Sequence, residues 1–363
     1  MHMTTTETVR EAPPEPRAQA ALASIKKTRP RVFSGIQPSG RLHLGNYLGA
    51  VQQWVAGQGE RENYICVVDL HAVTLPIEPE TLRRQTRELA AMLLAAGIDP
   101  ERSTLFVQSH VRAHAECCWL LNCVTPLGWL ERMTQYKIKA ARQESVLTGL
   151  LDYPVLQAGD ILLYDSDEVP VGEDQTQHVE LTRDIAERFN RLYGDTFVVP
   201  RLVVRESGAR VVGLNDPAIK MSKSETARGH AVYLDDDPAE IRRAIKHAVT
   251  DSGRDIVFDD APEKAGVNNL LQIYELLTGQ GRPEIEARFA AARGYGDLKR
   301  EVVEVVVEAL TPIRERYHAL MADPAELDRI LAIGAERARS VAEPKVEQVK
   351  DRMGFTMGFT RPA

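Results

Sequence analysis

The spacing of apolar residues changes character along the chain. Short apolar runs bounded by turn formers come first: "RVFSG" from Arg31, "YICVVD" from Tyr64, "STLFVQ" from Ser103 and "EVPVG" from Glu168. Runs of this length with few polar interruptions fit strands covered on both faces. Between them the apolar positions take helical spacing. Leu44, Leu48, Val51 and Val55 share one side of a helix, and "PETLRRQTRELAAMLLAAG" is amphipathic and closes on Gly97. Strand and helix in alternation predict an α/β domain with a doubly wound parallel sheet. From about Asp237 the strand signals stop. "PAEIRRAIKHAV", "GVNNLLQIYELLTG" and "LKREVVEVVVEALTPIRERYHALM" follow as successive helices, so a second, all-helical domain is expected. The expected division is a disordered leader over 1–30, the α/β domain over 31–218, helical structure over 219–322, and a C-terminal helix over 323–363 that packs back on the rest.

Composition narrows the possibilities. A chain of 363 residues is long for one core, and 44% hydrophobic with 27% charged residues is ordinary for a globular protein. No apolar run approaches the roughly 18 residues of a membrane span, and "MHMTTTETVREAPPEPRAQAALASIKKTRP" lacks the apolar stretch of a secretory signal. A cytoplasmic location is expected. The four cysteines suit a reducing compartment, and the spacing in "CCWLLNC" (Cys117, Cys118, Cys123) fits no zinc pattern. Buried helix packing is the expectation there, and no dedicated metal site. A net charge of −7 excludes broad, sequence-independent nucleic-acid binding, so any such contact is local.

Two stretches carry chemistry. "FSGIQPSGRLHLGNYLG", from Phe33, runs from strand through turn into helix and sets His43, Gly45 and Asn46 on the first helical turn. A helix N-terminus at the carboxyl edge of a parallel sheet favours phosphate, through its unpaired amides and its dipole. Neither "GxGxxG" nor "GK[ST]" is present. "KMSKS", Lys220 to Ser224, places two lysines three apart in a run of turn formers, a mobile cationic segment suited to closing on a polyphosphate.

With "HLGN" and "KMSKS" in this order, the chain resembles a class I aminoacyl-tRNA synthetase. "YPVLQAGDILLYDSDEVPVGEDQTQHVELTRDIAERFN", Tyr153 to Asn190, resembles the amino-acid pocket of the bacterial and mitochondrial tryptophanyl branch. The likeness runs from about Arg31 to the C-terminus. It implies a Rossmann-like, HUP-type catalytic domain, an anticodon-binding role for the helical domain, and a tryptophan–tRNA ligase that uses ATP with Mg2+. Implied partners are L-tryptophan, tRNA(Trp) and a second copy of the chain. It further implies an ATP site of Gln37, Pro38, Ser39, Gly45, Asn46, Gly172, Glu173, Asp174, Val211, Lys220, Met221, Ser222, Lys223 and Ser224, with His43 and Asn46 donating to phosphates. Lys139, Lys220 and Lys223 would stabilise charge on the leaving pyrophosphate. The implied tryptophan pocket comprises Phe33, Gly35, Gln37, Tyr153, Gln157, Asp160, Val169, Val171 and Gln175, with Tyr153 and Gln175 on the ammonium. Gln157 stands where some members carry methionine, which makes that wall more polar.

Asp160 stands apart on chemical grounds. It follows Gln157 by three residues and Tyr153 by seven, so all three share one helix face. Indole has one polar atom, an N–H, and a carboxylate in an otherwise apolar pocket is its natural acceptor. His71, in "CVVDLHAVT", reads better as a satisfied structural histidine than as a nucleotide contact. Arg242, Arg243, Lys246 and His247 form a basic helical face, either simply solvated or near tRNA. Three rivals stand beside the main reading: a tyrosyl-specific synthetase, a smaller adenylyltransferase, and a non-catalytic paralogue that binds tryptophan or tRNA.

Overall fold

The computed structural model describes residues 29–141, 145–204, 211–221 and 229–356. Five strands form one parallel sheet in the order β3-β2-β1-β4-β5. They are β1 (Arg31–Ile36), β2 (Glu62–Val67), β3 (Ser103–Val107), β4 (Glu168–Val171) and β5 (Arg201–Val204). β1 pairs with β2 over its full length, Arg31 opposite Glu62 through Ile36 opposite Val67. Because successive strands add to one side of β1 and then to the other, the winding reverses between β1 and β4. A crevice opens at such a reversal, beyond the carboxyl ends of the strands.

The first four strands fall where the apolar runs predict. β5 was not expected. Its residues "RLVV" follow Pro200, and a proline before a four-residue run masks a strand whose pairing with β4 comes from 33 residues upstream. The helix expected over Leu44 to Val55 is irregular: Leu44–Asn46 is α, Tyr47–Val51 is a π turn, and Gln52–Ala56 is α again. The apolar stripe still faces inward, with Leu44, Leu48 and Val51 buried. The amphipathic helix Pro79–Ala95 ends before Gly97, whose φ of 113° suits only glycine without strain.

Helices dominate after Asp237, as the spacing predicts. Pro238–Lys246 starts on a capping box in which Asp237 accepts from the Glu240 amide and Glu240 returns to the Asp237 amide. Ala265–Thr278 ends on left-handed Gly279, and Tyr295–Ala322 follows. One apolar core runs without a break from Ile65 and Val67 of β2, through Leu89 and Leu93, to Ile241, Leu270 and Val302 of the helical segment.

The helix Pro324–Met353 crosses the opposite face of the sheet, with Ala335, Ala338, Ala342 and Val346 in a second core beside Phe106 and Leu121. At Gly334 its backbone presses on β3: a Cβ there would lie 1.8 Å from the Leu105 carbonyl oxygen. The cysteine expectation needs correction. Cys117 is buried and Cys118 partly so, but Cys123 lies past the end of the helix Ala113–Asn122 and is exposed. Among the described residues no helix is long and apolar enough to cross a membrane.

Candidate active site

A cavity of about 270 Å³ opens at the winding reversal. β1 supplies Phe33 and Gly35, β4 supplies Val169 and Val171, and the helix Thr148–Leu162 supplies Tyr153, Gln157 and Asp160. Gln37, Lys139 and Gln175 complete its rim, so every residue expected around tryptophan lines one cavity. Gly35 packs closely on Val68, whose side chain a Cβ there would meet at 3.1 Å and have to displace by a few tenths of an ångström.

Asp160 lies at the cavity floor and is 1% exposed. Its surroundings correct the expectation of an otherwise apolar pocket. Oδ1 accepts from Gln108 Nε2 at 2.6 Å and is 2.7 Å from His114 Nδ1; Oδ2 is 2.8 Å from His71 Nε2. A bare buried carboxylate would protonate, and these donors are what keep it charged. Burial alone raises the Asp160 carboxyl, yet hydrogen bonds from His114 and His71 outweigh it and hold the group well below the usual carboxylate range. The donors are themselves fixed. Gln108 Oε1 accepts from the Leu70 amide, which sets the direction of its side-chain amide. His71 is therefore both satisfied and part of the cavity wall, a role its sequence context did not reveal. Gln108 and His114 were also missed. Gln108 had a visible signal, a polar residue at the carboxyl end of a buried strand. His114 had none, because the packing of the helix Ala113–Asn122 on the helix Thr148–Leu162, which brings it to Asp160, is a tertiary feature.

The opposite end of the cavity is polar in another way. Tyr153 hydroxyl lies 2.9 Å from His178 Nε2, and the Lys139 ammonium sits 4.9 Å from the centre of the Tyr153 ring. His178 is 1% exposed; burial, with the nearby Lys139 charge, pushes it down to about 4, so it is neutral near pH 7. Loss of hydration also lowers the Lys139 ammonium. Gln175 Nε2 donates to Asp174 Oδ2 at 2.9 Å, which leaves its carbonyl oxygen as the acceptor for a cation. Asp174 and Gly172 follow β4: a Cβ at Gly172 would stand 3.0 Å from Asp174 Oδ1, and the backbone of Glu173 is in the 3-10 turn Glu173–Gln175.

His43, Gly45, Asn46, Val211, Lys220 and Met221, expected at ATP, gather elsewhere. His43 caps the helix Leu44–Asn46: its Nδ1 accepts from the Asn46 amide at 3.2 Å, and Asn46 Oδ1 accepts from the His43 amide at 3.3 Å. With Nδ1 an acceptor, the ring proton of neutral His43 is on Nε2. Gly45 fits between this ring and the second motif, because a Cβ would lie 3.1 Å from His43 Nδ1 and 3.5 Å from Met221 Cβ. "HLGN" and "KMSKS" thus meet across one glycine. Met221 and Val211 are buried and joined by a bond from the Met221 amide to the Val211 carbonyl. Lys220 forms an antiparallel bridge with Val212, so the segment expected to be mobile begins on an anchored turn. Asn269, from the helix Ala265–Thr278, bonds both the amide and the carbonyl of Val212 and takes the place of a neighbouring strand. Pro38 and Ser39 lie on the turn between β1 and His43, where the Ser39 amide donates to Gln37. Ser222, Lys223 and Ser224 lie outside the described residues.

Residues 26–311 match the family described as tRNA synthetases class I (W and Y). The tryptophan–tRNA ligase 2 of Streptomyces avermitilis is 53% identical over 330 residues, covering 90% of this chain and 97% of that one. The chain belongs to the tryptophanyl-tRNA synthetases of class I. A Helicobacter pylori member of this family is 52% identical over 326 residues, with 90% and 98% covered. Solved tryptophanyl-tRNA synthetases agree in fold. That of Mycoplasma pneumoniae superposes with a TM-score of 0.81 at 35% identity, over 90% of this chain and 98% of that one. That of Campylobacter jejuni, complexed with ADP and tryptophan, gives 0.79 at 37%, over 90% and 100%.

Proposed function

We propose that the cavity takes the tryptophan side chain with its indole N–H on Asp160, and that ATP lies over the first helical turn between His43, Gly45 and Met221. The chain is an ATP-dependent tryptophan–tRNA ligase. One observation carries the residue assignment. A carboxylate offers about four lone-pair positions, and among the described residues Gln108, His114 and His71 occupy three on Asp160. The open position is on Oδ2, at the cavity floor. A cavity of about 270 Å³ falls just under the roughly 300–1,000 Å³ of drug-sized sites, as suits one amino-acid side chain.

The rest of the substrate follows from the polar rim. The ammonium sits between the Tyr153 hydroxyl and the Gln175 carbonyl oxygen. The carboxylate then points out of the cavity, toward the α-phosphate of ATP, which enters as its magnesium complex. In-line attack by that carboxylate gives tryptophanyl-adenylate and pyrophosphate, and the 3′-terminal ribose hydroxyl of tRNA(Trp) afterwards attacks the acyl carbon and releases AMP. Lys139, Lys220 and Lys223 stabilise the charge leaving on pyrophosphate, and His43 and Asn46 serve the phosphates. No enzyme nucleophile is required, so positioning and electrostatics carry the rate. Arg242, Arg243 and Lys246, all exposed on the helix Pro238–Lys246, face tRNA, and the working unit is a homodimer.

The test is ATP–pyrophosphate exchange with each amino acid in turn. Exchange that depends on tryptophan, followed by charging of tRNA(Trp), is expected. Exchange supported equally by tyrosine or phenylalanine would refute the assignment of Asp160.

A further inference from the structure

Asp160 is held from behind as well as faced from the cavity. His114, fully buried, uses both ring nitrogens: Nδ1 is 2.7 Å from Asp160 Oδ1 and Nε2 is 2.8 Å from the Tyr164 hydroxyl. Beside a carboxylate, Nδ1 carries a proton whatever the charge of the ring. In the neutral ring Nε2 is then an acceptor, and Tyr164 donates to it. Tyr164 follows Asp160 by four residues, in the turn that closes the helix Thr148–Leu162, and the two side chains bracket the imidazole.

The hydroxyl that sets this tautomer stands on a rigid footing. The Tyr164 ring packs against Phe33 of β1, Tyr64 of β2 and Phe106 of β3, at centroid distances of 5.6, 4.5 and 5.8 Å. A chain of contacts therefore runs from the centre of the sheet through Tyr164 and His114 to Asp160. Without His114 the Asp160 Oδ1 would rest on Gln108 alone. Gln108 on Oδ1 and His71 on Oδ2 would then hold the carboxylate with one donor each, and the direction of its open position would be less tightly fixed.

We propose that His114 is a positioning residue for the indole reader: backed by Tyr164, its Nδ1–H aims the open acceptor position of Asp160 into the cavity, and discrimination for a ring bearing an N–H depends on it. This rests on the Asp160 reading above. His114 is fully buried behind Asp160 and does not line the cavity, so it acts through the carboxylate.

The experiment compares L-tryptophan with the analogue in which sulfur replaces the indole nitrogen, in ATP–pyrophosphate exchange by the full chain. The unsubstituted protein is expected to prefer tryptophan strongly, because the analogue leaves a buried carboxylate position unpaired. His114→Leu should raise the KM for tryptophan about tenfold or more, with a smaller change in kcat and little change for the analogue. His114→Asn, whose amide donor replaces Nδ1–H, should restore the preference to within about threefold. Tyr164→Phe removes only the hydroxyl that sets the tautomer and should lower the preference about threefold or more, which keeps a readout if His114→Leu does not fold. Full preference retained in Tyr164→Phe, or in a folded His114→Leu, overturns the proposal alone. Equal use of both substrates by the unsubstituted protein overturns the Asp160 reading, and this proposal with it.

Discussion

Replacing Asp160 separates binding from folding only when the replacement is chosen from the structure. Alanine would strip the acceptor from the buried donors on Gln108 and His114 and from the partly buried one on His71. Each unsatisfied donor costs about 1–3 kcal/mol, and the sum of about 3–9 kcal/mol is comparable with the roughly 5–15 kcal/mol that holds a domain folded. Asparagine keeps the shape and one acceptor oxygen. That oxygen belongs where Oδ1 is now, because the reverse orientation would set the amide NH2 against two donors. The NH2 then faces His71 and the indole. His71 adapts by moving its proton to Nδ1 and accepting through Nε2. Indole has no second tautomer of this kind and meets a donor with a donor. Asp160→Asn should therefore lose a charge-assisted bond of about 1.5–3 kcal/mol, roughly ten- to 150-fold in tryptophan affinity. ATP affinity should stay close to the parent value. Calorimetric titration of each ligand, with a thermal melt to show that the variant is folded, gives the answer. A folded Asp160→Asn that binds tryptophan within about threefold of the parent would show that the indole N–H bonds elsewhere.

Other consequences are open to simple measurement. Between pH 6.5 and about 4 the unfolded chain protonates His178 while the folded chain holds it neutral. Stability should therefore fall with acidification across that window, by about 3 kcal/mol in total. Urea unfolding at several pH values should show this slope, and an equal slope in His178→Gln would contradict it. Asp160, held low, supports the fold above about pH 4 and loses that contribution only in stronger acid. Gly334→Ala would gain about 1 kcal/mol if helix propensity decided the outcome, but a Cβ 1.8 Å from the Leu105 carbonyl oxygen must push the helix off β3. A loss of at least about 1–3 kcal/mol is expected, and a raised melting temperature would refute that close approach. Lys220→Ala should remove about 2–4 kcal/mol from the activation barrier's stabilisation and leave tryptophan binding nearly unchanged; a near-normal single-turnover rate would remove Lys220 from the chemistry.

Local patterns carried most of the architecture. A strand buried on both faces needs a continuous apolar run wherever it pairs, which is why β1 to β4 could be read from "RVFSG", "YICVVD", "STLFVQ" and "EVPVG" without their partners. Caps are equally local, as Asp237 with Glu240 and Gly279 show. Spacing put Tyr153, Gln157 and Asp160 on one helix face, and the family resemblance implied the remaining residues around the cavity. What the sequence could not settle was the environment of Asp160. A lone aspartate flanked by Ile161, Leu162 and Leu163 implies an apolar pocket, whereas three donors arrive from 89, 52 and 46 residues upstream. The same holds for β5, paired by β4, and for Gly45, met by Met221 from a distant part of the chain. Periodicity records which side of an element faces the core. The charge and hydrogen bonds met there depend on which elements arrive together, and only the tertiary structure decides that.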